Sequence, residues 1–143
     1  MTSPRILVVD DKLYMLRLAS YTLETKGGYE TITATDGGQA LAILEAETAP
    51  SKPGIDLVLC DIAMPEVDGL ELLRTIRATP HLADLPVVMF TARGEEADRD
   101  VAVEAGCNGY LLKPFSSHEL LSEVARHLVK KRASTQQRKS FVS

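Results

Sequence analysis

Short apolar runs of strand length recur along this chain, and stretches of helical length separate them. Ile6–Val9, Leu57–Cys60, Pro86–Phe90 and Gly109–Leu112 are the clearest runs, while Tyr29–Ala34 alternates apolar and polar residues. That rhythm predicts five βα units, which build a parallel sheet with helices on both faces. Ile6–Val9 is uninterrupted β-branched residue or leucine, as suits a strand covered on both sides. The alternation at Tyr29–Ala34 suits a strand nearer an edge.

The punctuation between the runs agrees with this reading. A first helix is expected over Lys12–Lys26, closed by Gly27-Gly28, and a second over Gly37–Glu47, capped by Asp36. Two prolines and a glycine make Thr48–Gly54 a loop on the side away from the first strand's end. Pro65–Gly69 reads as a loop into a helix over Leu70–Arg77, which Thr79-Pro80 breaks. A fourth helix is expected over Glu95–Ala105, closed by Gly106. Ser116 or Ser117 should cap a fifth, running to about Val129, with Glu119 completing a capping box.

The 143 residues suit one domain, expected over 4–129. Five of the sixteen basic residues and none of the twenty acidic ones fall in 130–143, leaving eleven basic against twenty acidic groups in the body, a net −9. An acidic body argues against nucleic acid as a direct ligand. The basic segment, poor in apolar residues, is expected to be a disordered tail or linker. No apolar run approaches the length of a membrane span, and the first residues lack the pattern of a signal peptide, so a cytoplasmic protein is expected. Cys60 and Cys107 are too few for a disulfide framework and read as small hydrophobes. His81, His118 and His127 show no ligand spacing and are expected at the solvated surface.

Chemistry concentrates where the runs end. The first run stops at Asp10-Asp11, the third at Asp61, the fourth at Thr91 and the fifth at Lys113. In a parallel sheet these residues gather at one edge, where open α/β sheets carry their sites. Three crowded carboxylates repel unless a cation joins them, and Mg²⁺ suits an all-oxygen set that leaves positions for phosphate. A carboxylate can also be the nucleophile toward phosphorus, with Lys113 and the Thr91 hydroxyl neutralising charge on the phosphoryl oxygens.

Val8-Val9-Asp10-Asp11, Cys60-Asp61-Ile62-Ala63-Met64-Pro65 with Asp68-Gly69, Phe90-Thr91-Ala92 and Tyr110-Leu111-Leu112-Lys113-Pro114-Phe115 together resemble the signature of the response-regulator receiver domain. The resemblance spans about residues 4–129. It implies a flavodoxin-like, doubly wound sheet of five parallel strands in order 2-1-3-4-5 with five helices. It also implies that Asp61 accepts a phosphoryl group from a phosphohistidine on a sensor histidine kinase or histidine phosphotransfer protein. By the same resemblance, Asp11, Asp61 and the Ala63 backbone carbonyl hold Mg²⁺ directly, with Mn²⁺ able to substitute, and Asp10 assists through metal-bound water. Thr91 and Lys113 would contact the phosphoryl group, Lys113-Pro114 would be cis, and Tyr110 would be the switch aromatic whose ring can turn inward once Thr91 moves and vacates space.

Some features depart from that pattern or stand beside it. Ala63 lacks a polar side chain that could orient or block attacking water, and the charge of Glu66 stands near the entrance to the site. On the first helix, Met15, Leu18, Thr22 and Leu23 read as the sheet-facing side. Leu13, Leu16 and Ser20 read as a second stripe, with Leu13 and Leu16 as a docking place for the kinase partner. A downstream protein target is expected, with a monomer or weak dimer pairing through the face of the fourth helix, fifth strand and fifth helix. An aspartyl-phosphate phosphohydrolase is disfavoured because Ala63 cannot supply its second acid, and a cofactor-binding flavodoxin relative because no Gly-rich loop follows the first strand. The receiver part of a longer DNA-binding regulator stays open.

Overall fold

The computed structural model describes residues 3–64, 68–92 and 97–128. In chain order it comprises β1 (Arg5–Val9), α1 (Leu13–Thr25), β2 (Glu30–Ala34), α2 (Gly37–Glu47), β3 (Leu57–Asp61), α3 (Gly69–Ala78), β4 (Val87–Ala92), α4 (Ala97–Ala105), β5 (Gly109–Lys113) and a last helix, α5, over 117–128. All strand pairs are parallel, in the order β2-β1-β3-β4-β5. The flavodoxin-like order implied by the resemblance is therefore the observed one. Among the described residues no helix is long and apolar enough to cross a membrane.

The two faces of the sheet carry separate cores because successive strand side chains point to opposite sides. Leu7, Val9, Val58, Cys60, Val87 and Met89 pack against α2, α3 and α4. Ile6, Val8, Leu57, Leu59, Phe90 and Leu111 pack against α1 and α5. Every residue of β3 is buried, whereas β2, with a neighbour on one side only, is mostly half-exposed.

Local sequence explains the helix ends. Asp36 caps α2 by accepting from Gln39 N at 2.8 Å, and Asp68 caps α3 by accepting from Glu71 N at 2.9 Å. At α5 the capping box forms on Ser116: its hydroxyl accepts from Glu119 N, and Glu119 Oε1 accepts from Ser116 N, both at 3.0 Å. Gly106 follows α4 with φ +105°, a conformation that L side chains rarely adopt. At the far end of the sheet, Arg5 Nη1 donates to Glu47 Oε2 at 2.7 Å and to the Gly54 carbonyl at 3.0 Å, which holds the Thr48–Gly54 connection against β1.

Three expectations are corrected. Leu16 is 4% exposed and Leu18 56%, the reverse of the roles read from the sequence. The sheet-facing side is Met15, Leu16, Ala19, Thr22 and Leu23, and the outer side carries Leu13, Tyr14, Leu18 and Tyr21. Both leucine patterns fit a 3.6-residue repeat, and the partners across the interface decide which one faces inward. Leu16 therefore belongs to the core rather than to a docking surface. His127 is 2% exposed, with Nε2 3.3 Å from Glu123 Oε2, an i, i+4 pair wedged against β5 where Gly109 leaves room. Finally, β3 and β4 run on through Asp61 and Thr91, because the backbone ladder continues regardless of side-chain polarity; Ile62 N still donates to the Phe90 carbonyl at 3.0 Å. Pro65, Glu66, the expected helix start at Glu95 and the basic 130–143 segment lie outside the described residues.

Candidate functional site

At the carboxyl end of the sheet, strand alternation sorts the polar residues. Asp10, Asp61 and Lys113 continue the parity of Val8, Leu59 and Leu111, on the side of α1 and α5. Thr91 and Tyr110 continue the other parity, that of Met89, on the side of α3 and α4. Acids and lysine thus share one side, and the threonine and tyrosine share the other.

Asp10 and Asp61 are buried, and Asp11 is exposed beside them; one oxygen from each lies within 4.8 Å of the others. Lys113 Nζ sits 3.3 Å from Asp10 Oδ2 and 3.2 Å from Asp61 Oδ2, and 4.8 Å from the centre of the Phe90 ring. Phe90 is itself braced edge-on by Phe115 at 5.8 Å. The Lys113-Pro114 peptide is cis. Asp61 Oδ1 accepts from Ala63 N at 3.2 Å, and Asp10 Oδ1 accepts from Lys12 N at 2.9 Å. Burial raises the pKa of Asp10; the Lys12 amide pulls it down, Asp61 pushes it up and Lys113 pulls it down again, leaving it above the ordinary carboxylate value of 3.8.

This donor set fits a divalent cation. It offers three carboxylate oxygens in close reach, one acid open to solvent, and a buried carboxyl whose ionised form wants more positive charge than it has. The Cys60 thiol contributes no nucleophile: it is buried, its pKa is pushed well up by burial and then by Asp61 and Asp10, and it donates to the Asp61 carbonyl at 3.2 Å.

Thr91 is buried near the end of β4, next to β3, which carries Asp61. Tyr110 is half-buried against the α2–α4 core, with the Arg99 guanidinium 5.8 Å over its ring. Its hydroxyl is buried without a hydrogen bond of ordinary geometry among the described residues. Burial raises its pKa, and nearby Thr91 partly opposes that rise. The hydroxyl end of the ring is therefore already inward, where the resemblance has the ring turn inward only as Thr91 moves.

Two residues at the site escaped the sequence reading. The sequence places Lys12 at the start of a helix, and in the structure its ammonium lies 3.4 Å from Asp11 Oδ1 and 3.8 Å from Asp61 Oδ2. Burial lowers its pKa, but Asp61, Asp11 and Asp10 outweigh that and leave it raised. A cation directly after a strand-end acid pair was the available signal. In the sequence Gly69 stands only as part of a motif. A Cβ there would fall 2.2 Å from the Asp61 carbonyl oxygen, so α3 can begin where it does only without a side chain.

Comparison with known proteins places this arrangement. The family model for the response regulator receiver domain matches residues 6–125. The chain is 39% identical over 120 residues to the alkaline phosphatase synthesis transcriptional regulatory protein PhoP of Bacillus subtilis, covering 84% of this chain and 46% of that protein. It is 38% identical over 133 residues to the transcriptional regulatory protein CpxR of Escherichia coli, covering 93% and 53%. The chain thus spans about half the length of these curated relatives. Among solved structures, a CheY-like response regulator receiver domain protein from Methanospirillum hungatei superposes with a TM-score of 0.79 at 28% identity, over 93% of this chain and 99% of that one.

Proposed function

The chain belongs to the response-regulator receiver family, and from that premise we propose that it is a phosphorylation-dependent switch whose acceptor is Asp61. The supporting observation is the setting of that one carboxylate. It is buried at the end of the central strand, beside two further acids, with a lysine ammonium at 3.2 Å. The donor is a phosphohistidine on a partner kinase or phosphotransfer protein. A carboxylate oxygen of Asp61 attacks phosphorus, the O–P bond forms as the N–P bond breaks, and the departing imidazole takes up a proton.

Lys113 needs little movement to follow the negative charge from the carboxylate onto the phosphoryl oxygens, and the Thr91 hydroxyl donates to another of them. Asp11, Asp61 and the Ala63 carbonyl would hold Mg²⁺, or Mn²⁺ in its place, with Asp10 acting mainly through bound water. That ion would supply positive charge to the same oxygens. When Thr91 turns toward the phosphoryl group, Tyr110 repacks, and the surface formed by α4, β5 and α5 changes for a downstream protein target. Leu13, exposed just beyond Asp11 and flanked by Tyr14, is where the phosphohistidine partner docks. The chemistry stays within the protein's own phosphorylation and dephosphorylation.

A second reading extends the first. Because the chain covers only about half of relatives that are transcriptional regulators, the switch would govern a DNA-binding part of a longer protein. The deciding experiment incubates the parent and Asp61→Asn with acetyl phosphate, with and without Mg²⁺. Metal-dependent labelling of the parent alone is expected. Equal labelling of the variant would refute the assignment of Asp61.

A further inference from the structure

Two ammonium groups converge on Asp61, and they are held in different ways. Lys113 Nζ lies 3.2 Å from Asp61 Oδ2 on a strand, its side chain 18% exposed. Lys12 Nζ lies 3.8 Å from the same oxygen and 3.4 Å from Asp11 Oδ1, its side chain 44% exposed. The Lys12 backbone is fixed at the start of α1, where its N–H donates to Asp10 Oδ1 at 2.9 Å. A flexible four-carbon stem then carries the charged head into solvent's reach. The head stands between two of the three carboxylates whose oxygens lie within 4.8 Å of one another. A divalent cation joining Asp11 to Asp61 needs that same space.

Charge points the same way. Three carboxylates facing two ammoniums leave a single negative charge, and a divalent ion added to that set overshoots to positive. With Lys12 swung out, the ion and Lys113 balance the three acids. We propose that Lys12 is a tethered counter-cation that competes with the divalent metal for Asp11 and Asp61, so that metal seats only as this side chain leaves. This inference rests on the reading of the acids as a metal seat. Lys12 thereby sets how much metal the switch needs, while in the metal-free protein it relieves the repulsion between Asp11 and Asp61.

The test is calorimetric titration of Mg²⁺ into the unphosphorylated full chain, comparing the parent, Lys12→Met and Lys12→Arg. An ammonium a few ångströms from a divalent ion, in surroundings close to water, should weaken binding by about threefold to thirtyfold. Lys12→Met should therefore bind Mg²⁺ that much more tightly, and Lys12→Arg should stay near the parent. In thermal melts Lys12→Met should be the less stable protein without metal and gain more on saturation. Equal or weaker binding by Lys12→Met, or Lys12→Arg binding as tightly as Lys12→Met, would overturn the proposal. So would the absence of Mg²⁺ binding in all three proteins, which would remove the metal seat as well. Acetyl phosphate labelling of the same samples keeps the two readings apart: labelling that persists with equal Mg²⁺ affinities would discard the role of Lys12 alone.

Discussion

Gly69→Ala is a one-methyl change that should reach Asp61, the proposed acceptor, through the backbone. The added Cβ would lie 2.2 Å from the Asp61 carbonyl oxygen, 2.8 Å from Ile62 Cα and 3.0 Å from the Asp61 carbonyl carbon. The shortest of these is about 1 Å inside van der Waals contact, and all are main-chain atoms that cannot turn aside. Either α3 or the end of β3 must shift by that distance. Gly69 N donates to the Ile62 carbonyl at 3.0 Å, and the same displacement would break that bond. Overpacking costs about 1–3 kcal/mol and the lost hydrogen bond about 1. Alanine returns less than 1 kcal/mol of helix propensity, because Gly69 is the first residue of α3. A net loss of about 1–4 kcal/mol should appear as a lower urea midpoint with unchanged slope. Labelling by acetyl phosphate should fall on the order of 100-fold, the usual consequence of misplacing a reacting group by 1 Å. Gly38→Ala is the control for labelling: its Cβ would meet only the side-chain oxygen Asp36 Oδ1, at 3.2 Å, far from Asp61, so labelling should stay at the parent level. A Gly69→Ala protein as stable and as readily labelled as the parent would refute the reasoning.

Two further substitutions probe the charges. Because the folded protein raises the Asp10 pKa above 3.8, its ionised form is a cost that appears as pH rises through the raised value and is absent below the unfolded one. Asp10→Asn should therefore raise the metal-free melting temperature by a few degrees at neutral pH, with the gain vanishing near pH 3–4; a gain that grows on acidification would contradict this. Arg77, held by the carbonyls of Gly106, Ala83 and Leu85 and by Asn108 Oδ1 at 2.6–3.1 Å, ties the end of α3 to the segments flanking β4. Arg77→Met should strand those acceptors and cost about 2–4 kcal/mol in urea denaturation, without abolishing labelling; parent-like stability would show the network to be dispensable.

The βα rhythm, the cap at Asp36, the capping box at Ser116 and the turn at Gly106 were legible because each depends on neighbours within a few residues. The strand-end chemistry was legible because a parallel sheet brings such ends together whatever the lengths between them. What failed depended on partners far along the chain. Leu16 and Leu18 are chemically alike, and only the packing of α1 on the sheet separates them. His127 looked like a surface histidine because the space above Gly109 is a tertiary property. Lys12 stands beside the acid pair in sequence, but its reach to Asp61, about fifty residues on, and the approach of Gly69 to the Asp61 carbonyl are set by the fold. Hydropathy ends where Asp61 and Thr91 begin, but the backbone ladder of β3 and β4 does not.

The molecule has two poles, and the latch at Arg5 marks the one without the acids. Arg5 gathers Glu47, the Gly54 carbonyl and, through its backbone N–H, Asp56 Oδ2 at 2.8 Å, so the chain between α2 and β3 leaves and returns at fixed anchors. Lengthening a loop between fixed anchors costs only about 0.6 kcal/mol for each doubling. The connection at that pole can therefore lengthen at little cost while the arrangement of acids at the opposite pole is untouched.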